Sequence, residues 1–476
     1  MKTYIEERPW GNFERFTHNE ISTVKILTVN PNEELSLQFH HNREEFWRVI
    51  DGTGTFVIGD NTKVGHKGDE FFIPKETVHQ IKTSDSSVSV LEIAFGNFDE
   101  NDIVRLKDKY NREDPNKYYN MEHTHQINTR IPIEKKGILL SPTKLKFESN
   151  GVLNPGIFQE GEEVHIFYRA VEDGNYSTIG YAKTNEHLDL IERKSSPLIT
   201  RDFDYEKHGV EDARIVKIED TFYLSYTAYD GVNAMGALAT SKDLKHFEKK
   251  GIITPFITYK EYKYHLEHCN QERLNPKYYY YYNLFAQIGL ADEKHRYLRD
   301  KDIVLFPKKI NGKFVMLHRI WPGIQIVQFE KWENLTKEFW ENHIKNLHDH
   351  ILMDPFYDFE VNYLGAGCPP IETKDGWLMI YHGVCETHIG KTYHAAAALL
   401  DIEDPIKVIG RLPYPLFSPT EEWELLGVVD HVVFPTGTAL FGDDLHIYYG
   451  AADKHTAVAK VSLQLLLNEL KKTAIS

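Results

Sequence analysis

Asn311-Gly312-Lys313-Phe314-Val315-Met316-Leu317-His318-Arg319 opens on a two-residue turn and runs as an apolar strand to a charged end. Asn-Gly readily takes the left-handed backbone of a tight hairpin, and aromatic and β-branched residues favour the strand that follows. The plan returns four times. Glu160-Gly161-Glu162-Glu163 leads into VHIFYRA, Glu219-Asp220 into TFYLSYTA, Asp375-Gly376 into WLMIYHG, and Gly442-Asp443 into DLHIYYGAAD. The strands end at Arg169, Thr227, Arg319, His382 and Tyr449. Their spacing is about 60 residues, which suits four-stranded propeller blades, except where an insertion over about 259–299 lengthens one step. The expected fold over 131–476 is therefore all-β: a five-bladed β-propeller whose inner strands converge on an axis, so that their ends line one central pocket.

Gly209-Val210-Glu211-Asp212-Ala213-Arg214-Ile215-Val216 supplies chemistry to that pocket. On an extended backbone Glu211 and Asp212 point to opposite faces. One carboxylate then faces the cleft and the other, Glu211, fixes the loop or orients a substrate. A surface acidic pair beside a compensating arginine is the other reading. Arg169, Arg319, His382 and Asp453 fall at comparable places in the repeat, which favours the cleft.

A chain of 476 residues has room for two to four domains. The net charge of −16 argues against nucleic acid or an anionic membrane as partner. An anionic substrate would need a local basic pocket against that background. The 13% aromatic content suits strands and also carbohydrate stacking. Cys269, Cys368 and Cys385 match neither a disulfide framework nor a zinc motif. The start MKTYIEERPW is polar and acidic, unlike a secretory signal, and no apolar run is long enough to span a membrane. A cytoplasmic protein is expected.

Residues 22–99 alternate apolar and polar residues in short runs between Gly, Asn and Asp turns, a second all-β region. Within it lie Gln38-x-His40-x4-Glu45 with Gly52, then Gly68, Pro74 and His79. Gln38 and His40 share one strand face, and Glu45 and His79 can join them from neighbouring strands. Mixed nitrogen and oxygen ligands suit zinc, manganese, iron or nickel. Polar residues on an exposed sheet face are the alternative. The charged stretch 100–130 reads as a short helix followed by a linker.

Two family resemblances rest on these residues. The segment with Arg8-Pro9-Trp10-Gly11, Ser36-Leu37-Gln38-x-His40-x-x-Arg43-x-Glu45-x-Trp47 and Asp102-Ile103-Val104-Arg105-x-x-Asp108-x-Tyr110 resembles type II mannose-6-phosphate isomerase, a cupin or double-stranded β-helix, over 1–125. That implies metal-assisted interconversion of mannose 6-phosphate and fructose 6-phosphate, with Arg43 and Arg105 as candidate substrate-binding cations. The chain departs from that family at Asn42, where histidine is common, and at Asn111, where glycine is usual. A metal-stabilised sugar-binding or oligomerising module is the alternative. GVEDARIV, LFPKKINGKFVMLHR, GAGCPPI, IYHG and IYYGAAD resemble glycoside hydrolase family 130, the mannoside phosphorylases.

The second resemblance implies inverting phosphorolysis of β-1,2- or β-1,4-mannosides to α-mannose 1-phosphate, with inorganic phosphate as co-substrate. It implies Asp212 as proton donor, acting through a mannosyl hydroxyl. It implies Lys301, Arg319, His382 and Tyr393 as the phosphate cradle, and Asn154, Arg169 and Asp453 as holders of the mannosyl residue. Lys301 in the run Arg299–Asp302 also reads as a solvated lysine, and Asp453 as a turn residue. A homo-oligomer is expected from both families. A β-mannoside hydrolase on the same fold, and a non-catalytic carbohydrate-binding protein with a structural cupin, are the competing functions. In the insertion, His265, His268 and Cys269 suggest a metal less readily than a helical flap or dimer contact with aromatic packing. The tail SLQLLLNELKK spaces its leucines as an amphipathic helix that packs on the propeller or closes a blade.

Overall fold

The computed structural model describes residues 4–8, 11–17, 22–40, 43–59, 61–75, 77–95, 103–107, 109–110, 131–269, 274–275, 277–287, 296–387 and 390–473. The chain forms two compact units, Met1–Gln126 and Ile127–Ser476. Asn42, Asn111 and the linker lie outside the described residues.

In the first unit β1 (Tyr4–Arg8) and β2 (Gly11–Arg15) form a separate hairpin. The remaining strands are β3 (Ser22–Val29), β4 (Leu37–Phe39), β5 (Glu44–Ile58), β6 (Asn61–His66), β7 (Glu70–Ile73), β8 (His79–Lys82), β9 (Val88–Phe95) and β10 (Val104–Lys107). The long β5 pairs with β9 and β7 early in its length and with β6 and β8 later, so it serves both faces of a cupin-like barrel. Trp47, Val49, Phe56, Ile81 and Val90 fill its interior. The helix expected after residue 100 is instead β10, paired with β4 so that Arg105 stands opposite Gln38. The edge of the three-residue β4 offers backbone groups that need partners, and that overrides the charged, helix-like composition.

The second unit is the five-bladed propeller. Its first blade holds β12 (Gly151–Glu160), β13 (Glu163–Glu172), β14 (Tyr176–Asn185) and β15 (Leu190–Arg193), after β11 (Ile133–Leu140). The second holds β16 (Gly209–Ile218), β17 (Thr221–Tyr229), β18 (Ala234–Ser241) and β19 (Phe247–Ile252). The third holds β20 (Lys301–Leu305), β21 (Phe314–Arg319), β22 (Ile324–Phe329) and β23 (Ile351–Met353). The fourth holds β24 (Tyr363–Ala366), β25 (Ile371–Thr373), β26 (Gly376–Thr387), β27 (Gly390–Leu400) and β28 (Val408–Arg411). The fifth joins β29 (Val433–Phe441), β30 (Asp444–Ala451) and β31 (His455–Ser462) to β11. The recurring strand of the sequence repeat is thus the second of each blade, not the innermost as expected, because each hairpin turn leads out of the inner strand. The inner strands crowd together: a Cβ on Gly156 would stand 2.8 Å from the Ala213 carbonyl oxygen.

Each blade is clamped from within. Tyr168, Tyr226, Tyr381 and Tyr449, on the second strands, donate hydrogen bonds of 2.6, 2.6, 3.0 and 2.6 Å to Glu148, Glu206, Glu360 and Glu424. Each glutamate is fully buried just ahead of the inner strand, and each meets a cation from the fourth strand: Arg193, Lys249, Arg411 or Lys135. The third blade substitutes histidine. His318 Nδ1 donates to Asp300 at 2.7 Å, and His343 stands 3.0 Å from its Nε2. Buried carboxylates persist only when paired and hydrogen-bonded.

The insertion forms α1 (Tyr259–Glu267) and α2 (Lys277–Gln287). Thr258 and Glu261 cap α1 reciprocally. Tyr259, Tyr262, Leu266 and Tyr278 pack into a core shared with Ile303, Met316 and Trp340, the last from α3 (Lys337–Lys345). His268 Nδ1 meets the Tyr264 carbonyl and Cys269 that of Leu266, so neither is arranged around a metal. After α4 (Glu422–Leu425), the tail is the expected amphipathic helix, α5 (Leu463–Lys472), burying Leu466, Leu467 and Leu470 against Leu399 and Ile447. Among the described residues no helix is long and apolar enough to cross a membrane.

Candidate active site at the propeller axis

The inner strands deliver the site through bulges. The register slips between Leu153 and Gly156, Glu211 and Arg214, and Lys301 and Val304. Inside each bulge one residue takes a left-handed backbone: Asn154 (φ 47°), Asp212 (φ 52°) and Asp302 (φ 56°). Asn and Asp tolerate that region better than other non-glycine residues, and such conformations cluster at functional sites. The expected opposite facing of Glu211 and Asp212 is therefore corrected. The bulge turns Asp212 towards the same group of cations that Glu211 meets.

Asp212 accepts a hydrogen bond from Asn154 Nδ2 at 2.8 Å and lies 3.7 Å from Arg169 Nη1. Glu211 pairs with Arg169 at 2.9 Å and Lys301 at 3.3 Å. Burial pushes the Asp212 carboxyl up, but Arg169, Lys301, Arg214 and the Asn154 amide outweigh it and hold it below the usual range. Asp453, also left-handed at φ 50°, goes the other way. Burial dominates there, with Asp212 and Glu211 adding to it, and its carboxyl rises to about 6. Of the two carboxyls beside Arg169, Asp453 thus holds a proton the more readily.

Arg319 occupies the next sector. Its Nη1 lies 2.9 Å from Asp302 Oδ2 and donates to His382 Nε2 at 3.3 Å. Its guanidinium stands 5.6 and 5.5 Å from the Trp321 and Tyr363 ring centres, and Tyr363 shares a 2.5 Å hydrogen bond with Tyr393. Burial, then Arg319 and Arg214, keep His382 neutral. Burial also raises Asp302, against the opposing pull of Arg319 and Arg214. Arg214 is buried on the axis, with Nε donating to the Gly367 carbonyl at 2.5 Å and Nη1 to that of Asp212 at 2.9 Å.

The cavity outside this layer is about 640 Å³, within the range of ligand sites. Arg169, Glu211, Lys301, Arg319, Tyr393 and Asp453 line it, as do Tyr281 and Phe285 from the insertion. Asn154, Asp212 and His382 are not on that lining; Asp212 stands against Arg169, His382 against Arg319, and Asn154 reaches the site through its hydrogen bond to Asp212. Trp321 and Tyr363 stack at 4.1 Å in its wall, with Tyr281 edge-on to Trp321 at 5.1 Å. All eight sequence candidates of this unit therefore gather at one end of the axis. The sequence reading missed Arg214 and Asp302. Aligning the blades on their inner strands, Asn154 with Asp212 with Asp302, is the signal that finds the second.

In the first unit, the ligand atoms of His40, Glu45 and His79 lie within 4.8 Å of one another, and all three residues are buried. Gln38 Nε2 is 3.3 Å from His40 Nε2. His79 Nδ1 donates to the Thr77 carbonyl at 2.8 Å, which leaves its Nε2 facing Glu45 Oε2 at 3.7 Å. Neither of those two atoms has a hydrogen bond. Such an oriented imidazole beside an unpartnered carboxylate oxygen fits a divalent metal. Arg43 donates to Glu45 at 2.8 Å and lies 3.0 Å from His40, so it sits on the ligand cluster itself. The Arg105 side chain lies outside the described residues.

Residues 122–472 match the family described as beta-1,4-mannooligosaccharide phosphorylase, and residues 2–108 match the mannose-6-phosphate isomerase C-terminal family. A 1,2-beta-oligomannan phosphorylase of Thermoanaerobacter sp. (strain X514) is 31% identical over 344 residues, spanning 70% of this chain and 97% of that protein. A mannose-1-phosphate guanylyltransferase 2 of Escherichia coli O157:H7 is 35% identical over 109 residues, 22% of this chain and 23% of its own length. Among solved structures, the beta-1,2-mannobiose phosphorylase of Listeria innocua in complex with beta-1,2-mannobiose superposes with a TM-score of 0.52 at 24% identity. It covers 72% of this chain and 100% of that one, a likeness of fold.

Proposed function

Because the chain belongs to glycoside hydrolase family 130, the beta-1,4-mannooligosaccharide phosphorylases, we propose that its propeller cleaves β-mannosides with inorganic phosphate, giving α-mannose 1-phosphate and a shortened saccharide with inversion. The observation that carries this is a set of orphaned donors. Arg214 Nη2, Arg319 Nε and His382 Nδ1 are buried without hydrogen-bond partners around one axis. Buried donors left unpaired are costly and point to a ligand that completes them. An oxyanion does so through strong, charge-assisted bonds.

Phosphate held there attacks the anomeric carbon from the cradle side. Asp212 supplies the proton for the leaving oxygen, and Asn154 fixes the orientation of its carboxyl. As phosphate engages Lys301, that cation's hold on Glu211 and Asp212 weakens and the Asp212 proton affinity rises. Arg169 and Asp453 hold the mannosyl unit. The Thermoanaerobacter relative makes the β-1,2 linkage the first to test. A second reading, an inverting hydrolase, draws on Asp302, a buried second carboxyl of the kind that activates water.

β-Mannobioses of defined linkage, incubated with and without phosphate, decide between them. Mannose 1-phosphate is expected, and only with phosphate. Free mannose released at the same rate in its absence supports the hydrolase.

For the first unit we propose a divalent metal held by Gln38, His40, Glu45 and His79, serving mannose 6-phosphate isomerisation. A metal bound there would polarise a carbonyl or hydroxyl of the sugar phosphate. The chain's own part is to orient His79 through Thr77 and to neutralise Glu45 through Arg43. Metal analysis of the purified protein is expected to find about one ion per chain, and Glu45→Gln or His79→Ala to lose it. Equal metal content in both variants places the ion elsewhere.

A further inference from the structure

We infer that Asp302 makes the axial cradle select an oxyanion carrying its own proton, monohydrogen phosphate, and turn away sulfate; this rests on the phosphorylase reading above. Asp302 is 4% exposed, on the bulge of β20. Its Oδ2 lies 2.9 Å from Arg319 Nη1 and 3.7 Å from His382 Nε2, yet no well-directed hydrogen bond reaches it. On one side that oxygen packs against Gly365 of the facing strand, an approach only glycine permits. A Cβ on Gly365 would stand 2.3 Å from it and 2.6 Å from His382 Cε1.

A carboxylate among the donors is out of place in a cradle for any anion, because like charges in a buried site repel. The repulsion becomes a hydrogen bond when one partner brings a proton. Near neutral pH monohydrogen phosphate has one P–OH to give to Oδ2, whereas sulfate has none. The other groups match the remaining oxygens. Arg319 Nη1 donates to His382 Nε2, so the imidazole proton sits on Nδ1 and joins Arg319 Nε and Arg214 Nη2 as free donors. Donors for bare oxygens and one acceptor for a hydroxyl describe a protonated oxyanion. Specificity then comes from an unpaired charge set against the wrong ligand.

The test is calorimetric titration of the full chain with sodium phosphate and with sodium sulfate at neutral pH, without saccharide. Phosphate is expected to bind at least about tenfold more tightly than sulfate, the worth of one hydrogen bond to a charged group. Asp302→Asn, whose amide also donates, is expected to bring the two anions to within about threefold. Wild-type protein that binds both alike overturns the inference and leaves the phosphorylase reading standing. Binding of neither anion removes that reading and the inference together. Should Asp302→Asn fail to fold, as judged by its melting curve, the wild-type comparison still decides.

Discussion

Asp212→Asn is expected to lower kcat for phosphorolysis by about two to four orders of magnitude, the usual contribution of a positioned proton donor. The amide has the carboxyl's shape and can still accept the Asn154 hydrogen bond, so the bulge of β16 should persist. What is lost is a group able to give up a proton opposite the cradle. The substrate KM should change far less than kcat, since Arg169 and Asp453, which we propose hold the sugar, are untouched. A β-mannoside with a nitrophenol leaving group, which departs without a proton, should recover much of the rate. Initial rates on both substrates check this, and an unchanged kcat on the disaccharide removes Asp212 from the chemistry.

The largest expected effect on stability lies far from that chemistry, in the blade clamps. Glu206→Ala should cost about 3 kcal/mol or more, because several buried donors lose a charged acceptor together. Tyr226 and the backbone amides of Asp202 and Phe203 lose their acceptor at once, and Lys249 keeps only Asp202 and the Thr200 carbonyl. Tyr226→Phe removes only one hydrogen bond and should cost about 1–3 kcal/mol. Urea unfolding of the two variants measures the difference. Equal midpoints would mean that the lysine contact and the backbone bonds contribute nothing.

Much of this was legible in the sequence because hairpin turns announce themselves. Asn311-Gly312 and Asp375-Gly376 mark where a second strand starts, and counting along it reaches Arg319 at the end of β21 and His382 midway along the longer β26. In three of these second strands the clamp tyrosine, Tyr168, Tyr226 or Tyr381, stands one residue before Arg169, Thr227 or His382 and so on the other face. The inner strands have no such punctuation. Their bulges depend on left-handed backbone at Asn154, Asp212 and Asp302, which neither composition nor periodicity encodes. Arg214 stayed hidden because its guanidinium is anchored to the carbonyl of Gly367, a contact between distant parts of the chain. Residues 104–107 form a strand and not the expected helix because the vacant edge of β4, which charged composition does not reveal, decides the outcome.

The fifth blade takes its outermost strand from the beginning of the propeller: Ile133 of β11 pairs with Val461 of β31. The circle is therefore latched by hydrogen bonds between the first strand of this unit to leave the ribosome and the last. Until the later one emerges, β11 has no neighbouring strand. Contacts so remote in the chain form slowly, and an unsatisfied strand edge is open to association with other molecules in the meantime. Nascent chains stalled before residue 455 should accordingly be the aggregation-prone species, and release of the final strand the step that seals the ring.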